Sequence, residues 1–144
     1  MSALDGKAGI VSGAAQGLGV AFARALAENG ADVVVFDVKE RVLEVARELS
    51  SETGRRVIGM LADVSQRGDV ERVVATAVDA FGGIDVLVNN AGTRRETPVD
   101  ASWEDVLLDW DYIMDANLKG VLMLSRACVP HMKGRKNANI FHVS

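Results

Sequence analysis

The segment from Ser12 to Gly19 reads SGAAQGLG and places glycines at positions 13, 17 and 19. It directly follows the short apolar run Lys7–Val11 and opens a segment with helical periodicity. A helix that begins at such a turn presents free backbone N–H groups and roughly half a positive charge. The spacing G-x-x-x-G-x-G differs from the usual dinucleotide fingerprint, but the physical demands on the turn are similar. We therefore predict a diphosphate site here, with a glycine-rich turn of no function as the alternative.

Apolar runs typical of strands alternate with amphipathic segments along the chain. The predicted strands are Lys7–Val11, Val33–Phe36, Val57–Leu61, Ile84–Val88 and Asn139–Ser144. The last helical region is long, from Ser102 to Met132, and we expect a break near Asn117–Gly120. This alternation predicts one α/β domain over residues 1–144, with a doubly wound parallel sheet. Strand orders 3-2-1-4-5 and 2-1-3-4-5 both fit the pattern.

An acidic residue, Asp37, follows the second predicted strand. It lies at the spacing of about 20 residues from the glycine turn at which a carboxylate can accept the adenosine ribose hydroxyls. A carboxylate in that place would repel a 2′-phosphate, and no arginine stands beside Asp37 or in the glycine turn. We therefore predict NAD rather than NADP as cofactor. A solvated acid at a strand end is the alternative.

Composition and charge argue against several classes of function. The net charge of −4 gives no electrostatic case for binding nucleic acid or an anionic membrane. No apolar stretch reaches the ~18 residues that a membrane span needs. The single cysteine, Cys128, excludes an internal disulfide and suits a reducing compartment. His131 and His142 lack metal-like spacing, so we predict a cytoplasmic domain without a metal site.

Four motifs, taken together, resemble those of the short-chain dehydrogenase/reductase family. They are SGAAQGLG, Asp63-Val64, Asn89-Asn90-Ala91-Gly92 and Asn117-Leu118-Lys119-Gly120. The resemblance covers essentially the whole chain and implies a Rossmann fold with strand order 3-2-1-4-5. It also implies an NAD-dependent oxidoreductase that interconverts a small-molecule alcohol and carbonyl by hydride transfer. Relatives of this kind commonly form homo-oligomers.

The resemblance also implies a cofactor site at the C-terminal ends of the strands. The glycine turn would hold the pyrophosphate, Asp37 the adenosine ribose, and Asp63 with Val64 the adenine. Asn90 and Ala91 would lie near the nicotinamide-side ribose. The implied cofactor-binding residues are Ser12, Gly13, Gln16, Gly17, Leu18, Gly19, Asp37, Val38, Asp63, Val64, Asn90, Ala91 and Gly92. The family typically has threonine where this chain has Ser12, a change that keeps the hydroxyl.

The catalytic residues match the family only in part. Asn117 matches the asparagine that helps to hold a water in the family's proton relay. Ser144 is the candidate for the serine beyond the fifth strand, although the alignment puts it one residue before the usual position. Members also have a tyrosine followed four residues later by a lysine. Tyr112 is the only tyrosine here and Ala116 occupies the lysine position, so Tyr112 is not the catalytic tyrosine.

Two expectations follow from this partial match. The chain would be the N-terminal, cofactor-binding portion of an oxidoreductase, truncated after the fifth strand and inactive alone. The alternative is a non-catalytic NAD-binding or partner-dependent module, because the fifth strand would be an exposed sheet edge. The aromatic residues Trp103, Trp110 and Tyr112, in an unusual acidic stretch, are interpreted as packing residues.

Overall fold

A computed structural model describes residues 1–144. The elements, in chain order, are β1 (Ala8–Ser12), α1 (Gly17–Glu28), β2 (Asp32–Asp37), α2 (Arg41–Thr53), β3 (Val57–Leu61), α3 (Arg67–Phe81), β4 (Val86–Asn89), α4 (Trp103–Met114), a π-helical turn (Asp115–Lys119), α5 (Gly120–Met132) and β5 (Asn139–His142). All five strands are parallel, in the order β3-β2-β1-β4-β5. The predicted Rossmann order is therefore confirmed, and the alternative order is excluded.

The strands at the centre of the sheet are buried on both faces. Along β2, Val33 and Val35 belong to the core beneath α1 and α2, whereas Val34 and Phe36 belong to the core beneath α3 and α5. Successive side chains of a strand point to opposite faces, so a continuous apolar run serves both cores. This packing fixes the C-terminal ends of the strands along one edge of the sheet.

Helix α1 packs on the sheet through its small residues. The periodicity predicts an inward face of Leu18, Phe22, Ala25 and Leu26. Of these, Phe22 and Leu26 pack against the core, while the fully buried residues of the helix are Gly19, Ala23 and Ala27. Leu18 is 61% exposed. The expected face is wrong for Leu18 and Ala25, which are exposed, because small side chains allow the helix axis to approach the sheet closely. As a result, Leu18 is left at the edge of the sheet.

The long helical region is interrupted where the sequence indicates. The π-helical turn Asp115–Lys119 separates α4 from α5 and confirms the predicted break. Helix α4 has no buried residue. Trp103 is 77% exposed and Trp110 is 59% exposed, so their interpretation as packing residues is wrong for this chain. None of the helices combines the length and the apolar character needed to cross a lipid bilayer.

A buried ion cluster lies at the opposite, N-terminal edge of the sheet. The carboxylate of Asp85 accepts hydrogen bonds from Arg135 (Nη2 2.8 Å, Nε 3.0 Å) and from the backbone N–H of Ala8 (2.9 Å). Lys7 Nζ lies 3.4 Å away. Burial alone would raise the pKa of Asp85, but these donors and charges outweigh it, so the pKa is lowered. The cluster joins β1 and β4 to the loop before β5.

Candidate functional site

A cleft of about 760 Å³ opens at the C-terminal edge of the sheet. Most residues of the expected cofactor site line it: Gly13, Gln16, Gly17, Leu18, Asp37, Val38, Asp63, Val64, Asn90, Ala91 and Gly92. Ser12, Gly19 and Asn117 do not line the cleft but contact residues that do. Ser144 is exposed and lies outside it. The sheet thus brings residues from three of the four motifs, together with Asp37, to one cavity.

The glycine turn has the backbone that a phosphate cradle requires. Gly13 and Gly17 have φ angles of +65° and +58°, in the left-handed region that favours glycine. A Cβ on Gly13 would lie 2.8 Å from the Cα of Ala91, whereas the space around Gly17 is open. Gly13 therefore permits close packing, and Gly17 leaves the start of α1 uncovered. This arrangement fits a pyrophosphate at the N-terminus of the helix.

Ser12 holds the glycine turn against the loop after β4. Its buried Oγ accepts hydrogen bonds from the backbone N–H groups of Asn90 (3.0 Å) and Ala91 (2.9 Å). In return, the side-chain amide of Asn90 donates to the backbone oxygens of Ser12 (3.2 Å) and Gly13 (3.0 Å). A serine hydroxyl is sufficient for this role, which explains why the departure from threonine is tolerated. A direct contact between Ser12 and a cofactor stays a prediction.

Asp37 is fixed in place by backbone donors. One carboxylate oxygen accepts the N–H of Ala15 at 3.0 Å, and the other accepts the N–H of Lys39 at 3.1 Å. Each carboxylate oxygen has two lone pairs, so both remain able to accept a further hydrogen bond. The Asp37 carboxylate is thus an anchored acceptor beside the glycine turn, which suits the two donor hydroxyls of a ribose.

The Asp63–Val64 pair is positioned from two sides. Asp63 accepts the N–H and the hydroxyl of Ser65 (2.9 and 2.7 Å), and its own N–H donates to Asp69 at 2.8 Å. That backbone hydrogen bond is the main reason why the pKa of Asp69 is lowered. Val64 packs directly on Gly120, where a Cβ would lie 2.8 Å from Val64 Cγ1. A glycine is therefore required at position 120 for the Asn117–Gly120 motif to pack against Val64.

Asn117 lies in the π-helical turn and forms two hydrogen bonds to the loop that follows β4. Its Oδ1 accepts the N–H of Thr93 at 2.7 Å, and its Nδ2 donates to the carbonyl oxygen of Thr93 at 2.8 Å. A Cβ on Gly92 would lie 3.2 Å from Asn117 Oδ1. The side chain thus fixes the segment that lines the cleft beside Gly92. Its part in a proton relay stays a prediction.

Several residues of the cleft escape the sequence analysis. Lys39 is the only cation among the lining residues, and Thr93, Tyr112 and Asp115 also line the cleft. The guanidinium of Arg95 stacks over the Tyr112 ring, 4.1 Å from its centroid. The sequence could have indicated Lys39, because it lies in the loop after a predicted strand, and such loops line the C-terminal edge of a parallel sheet. Tyr112 gives no comparable signal, since it lies within α4 rather than in a loop at the end of a strand.

The family model for the short chain dehydrogenases matches residues 7–144. The chain belongs to this family. Among short-chain dehydrogenases, it is 37% identical over its full length to the oxidoreductase UcpA of Salmonella typhimurium, covering 53% of that protein. It is 39% identical over 98% of its length to dehydrogenase/reductase SDR family member 4 of Bos taurus, covering 50% of that protein. The chain therefore spans about half the length of the curated relatives it matches.

Solved structures of other short-chain dehydrogenases share the fold. The L-sorbose reductase of Gluconobacter frateurii, in complex with NADPH and L-sorbose, superposes with a TM-score of 0.86 at 34% identity. That match covers 96% of this chain and 52% of the reductase. A short-chain dehydrogenase of Burkholderia cenocepacia in complex with NADP gives a TM-score of 0.84 at 33% identity, covering 55% of that protein.

Proposed function

We propose that this chain supplies the cofactor site of an oxidoreductase that interconverts an alcohol and a carbonyl. The observation that carries the proposal is the hydrogen bond between Ala15 and Asp37, which joins the glycine turn to the ribose acceptor within one cleft. Bound NAD would supply the hydride chemistry, because its nicotinamide ring accepts and donates hydride. The protein would bind the cofactor and orient it.

Each part of the cleft has a separate task in this proposal. The N–H groups at the start of α1 attract the pyrophosphate, and the carboxylate of Asp37 accepts the ribose hydroxyls. The free oxygen of Asp63 and the backbone of Val64 provide polar groups for the adenine. Asn90 and Ala91, held by Ser12, form the wall towards the nicotinamide. Asn117 positions that wall through Thr93.

NAD is the favoured cofactor in this proposal, although two structural relatives contain NADPH and NADP. Three carboxylates line the cleft, from Asp37, Asp63 and Asp115. Asp37 stands where the ribose would bind, so a 2′-phosphate would meet a like charge there. This electrostatic cost falls on NADP alone and leaves NAD unaffected.

The 144 residues would bind the cofactor without turning it over. Tyr112, the only tyrosine, contacts Thr93 Oγ1 at 3.3 Å and Arg95, but no lysine. A tyrosine needs a lowered pKa to exchange protons near neutral pH, and a nearby lysine is the usual cause in such a site. Ser144 lies outside the cleft. Reduction of NAD by this chain with a panel of alcohols would contradict the proposal.

Calorimetric titration of the full chain with NAD tests the cofactor site directly. We expect one binding site, which Asp37→Ala weakens and Asp100→Ala leaves intact. Asp100 serves as the matched control because it is an exposed acid in the loop before α4, outside the cleft. Absence of NAD binding, or equal affinity in both variants, would contradict the assignment of the site.

An exposed apolar stripe favours a second proposal, that the chain associates with a copy of itself. Trp103, Leu107 and Trp110 recur at helical spacing on α4, and Leu118 and Leu122 continue the series beyond it. All five side chains are at least 57% exposed. Acidic residues crowd α4, whereas α5 carries no acidic residue. In two antiparallel copies, the apolar stripes would face each other, and the acidic α4 of one copy would face the α5 of the other, which carries Arg126 and no acidic residue.

A further inference from the structure

The loop between β4 and α4 contains two consecutive arginines, Arg94 and Arg95, whose side chains are exposed. Asn117 holds the start of this loop at Thr93, one residue earlier. From Arg94 to Thr97, no backbone N–H or C=O group forms a hydrogen bond within the chain. The segment has neither helical nor strand structure. Its backbone is therefore free to pair with another protein.

This segment has the features that an arginine-specific endoprotease requires. A protease binds its substrate as an extended strand, and free backbone N–H and C=O groups allow that pairing. Enzymes of the trypsin type place a carboxylate in the pocket that receives the side chain before the cut, and exposed loops are the preferred places for cleavage. Each of the other lysines and arginines lies in a helix or has a backbone group in a hydrogen bond. The folded chain therefore offers such a protease one accessible segment.

The two arginines differ in their surroundings. The guanidinium of Arg95 stacks over the Tyr112 ring, 4.1 Å from its centroid. Arg94 takes part in no ion pair and no cation–π contact. A protease pocket can accept the Arg94 side chain without breaking a contact, whereas Arg95 would first have to leave Tyr112. The bond after Arg94 is thus the more accessible of the two.

We propose that the Arg94–Arg95 peptide bond is a cleavage site for an arginine-specific endoprotease, and that the two pieces stay bound to each other after the cut. Hydrolysis adds one water across this bond. Arg94 gains a carboxyl group and Arg95 gains an amino group, and no other reactant is needed.

Contacts between the two sides of the cut hold the pieces together. Strand β4 belongs to the first piece and β5 to the second, and the two strands pair in parallel. Arg135 of the second piece forms an ion pair with the buried Asp85 of the first, at 2.8 Å. Leu124, Cys128 and Met132 on α5 are buried in the same core as the inner face of α3. None of these contacts involves the loop, so they persist when it is cut.

Limited digestion of the full chain with trypsin, followed by measurement of intact masses, tests the site. We expect the first products to be residues 1–94 and 95–144. Arg94→Ala should slow the loss of the intact chain about five-fold, because cleavage then requires Arg95 to leave Tyr112. Adding Tyr112→Ala to this variant should recover part of the rate, through cleavage after Arg95. Arg126→Ala, within α5, is the matched control and should leave the rate unchanged.

Size-exclusion chromatography of the cleaved chain tests the second part of the proposal. The two pieces should elute together in native buffer and separate in urea. A first cut at any other lysine or arginine, or an equal rate of cleavage in Arg94→Ala, would overturn the assignment of the site. Separation of the pieces in native buffer would overturn their association. None of these outcomes depends on NAD, so the proposed function stands or falls independently.

Discussion

The side-chain amide of Asn117 pairs with the backbone of Thr93 through both of its polar atoms, at 2.7 and 2.8 Å. The pairing joins the π-helical turn to the loop that follows β4. Asn117→Ala should release this loop and expose the Thr93 amide to solvent. Hydrogen exchange at Thr93 should accelerate by about five-fold, corresponding to about 1 kcal/mol for one net hydrogen bond. Asn29→Ala removes an exposed helix-end amide and should leave Thr93 exchange unchanged.

A substitution in the glycine turn should damage both stability and binding. Gly13→Ala places a side chain at a positive φ, which costs about 1–2 kcal/mol, and forces Ala91 to move. We expect a loss of at least about 2 kcal/mol in the free energy of unfolding, together with weaker NAD binding. Gly68→Ala on α3 meets nothing within 4 Å and should not destabilise the chain. Equal stability of the two variants in urea would contradict the strain assigned to Gly13.

Removal of the Asp37 carboxylate should weaken NAD binding by about 10–100-fold. Hydrogen bonds to a charged acceptor contribute about 1.5–3 kcal/mol, and the ribose would lose its anchored partner. The free energy of unfolding should change less, because Asp37 lies at the rim of the sheet. Calorimetry and urea unfolding on Asp37→Ala measure the two effects separately. A change in stability without a change in affinity would place the nucleotide elsewhere.

The Asp85 cluster should make stability depend on acidity. Because folding lowers the pKa of Asp85, its stabilising contribution is complete above the unfolded value of about 3.9 and is lost as pH falls through the folded value. Asp85→Asn should reduce the free energy of unfolding by about 3 kcal/mol at pH 7. The difference in the free energy of unfolding between this variant and the unmodified chain should narrow as the pH falls below the unfolded value, because Asp85 then becomes protonated. If the difference in the free energy of unfolding is the same at every pH, packing rather than the charge of Asp85 causes the loss of stability.

A charge within the exposed stripe should separate associated copies. Trp110→Lys introduces a cation where an apolar partner surface is expected, and light scattering with sedimentation should show a shift to monomer. Val99→Lys, at a fully exposed loop position, is the control and should leave the mass unchanged. If the unmodified chain is monomeric at all accessible concentrations, the stripe does not mediate self-association.

The sequence predicts the fold better than the details of the site. Continuous apolar strands predict a doubly wound parallel sheet, and the resemblance of the four motifs to the short-chain dehydrogenases adds the strand order, which the structure confirms. Lys39 escapes notice because a lysine in a loop normally means a solvated charge, and only its position in the lining of the cleft distinguishes it. The inward face of α1 is predicted only in part, since periodicity finds Phe22 and Leu26 but misses the small residues, such as Ala23, that a close approach needs. Exposure of Trp103 and Trp110 follows from tertiary contacts that no local pattern reports.

Ser12 is also informative about the order in which the molecule can assemble. Its hydroxyl takes its hydrogen bonds from Asn90 and Ala91, and Asn90 lies 78 positions further along the chain. During synthesis the ribosome completes the glycine turn long before these donors emerge. A nascent chain that stops short of Asn90 would therefore carry an unfinished nucleotide pocket. Binding of nascent chains of increasing length to an immobilised dinucleotide would then report the chain length at which β4 pairs with β1.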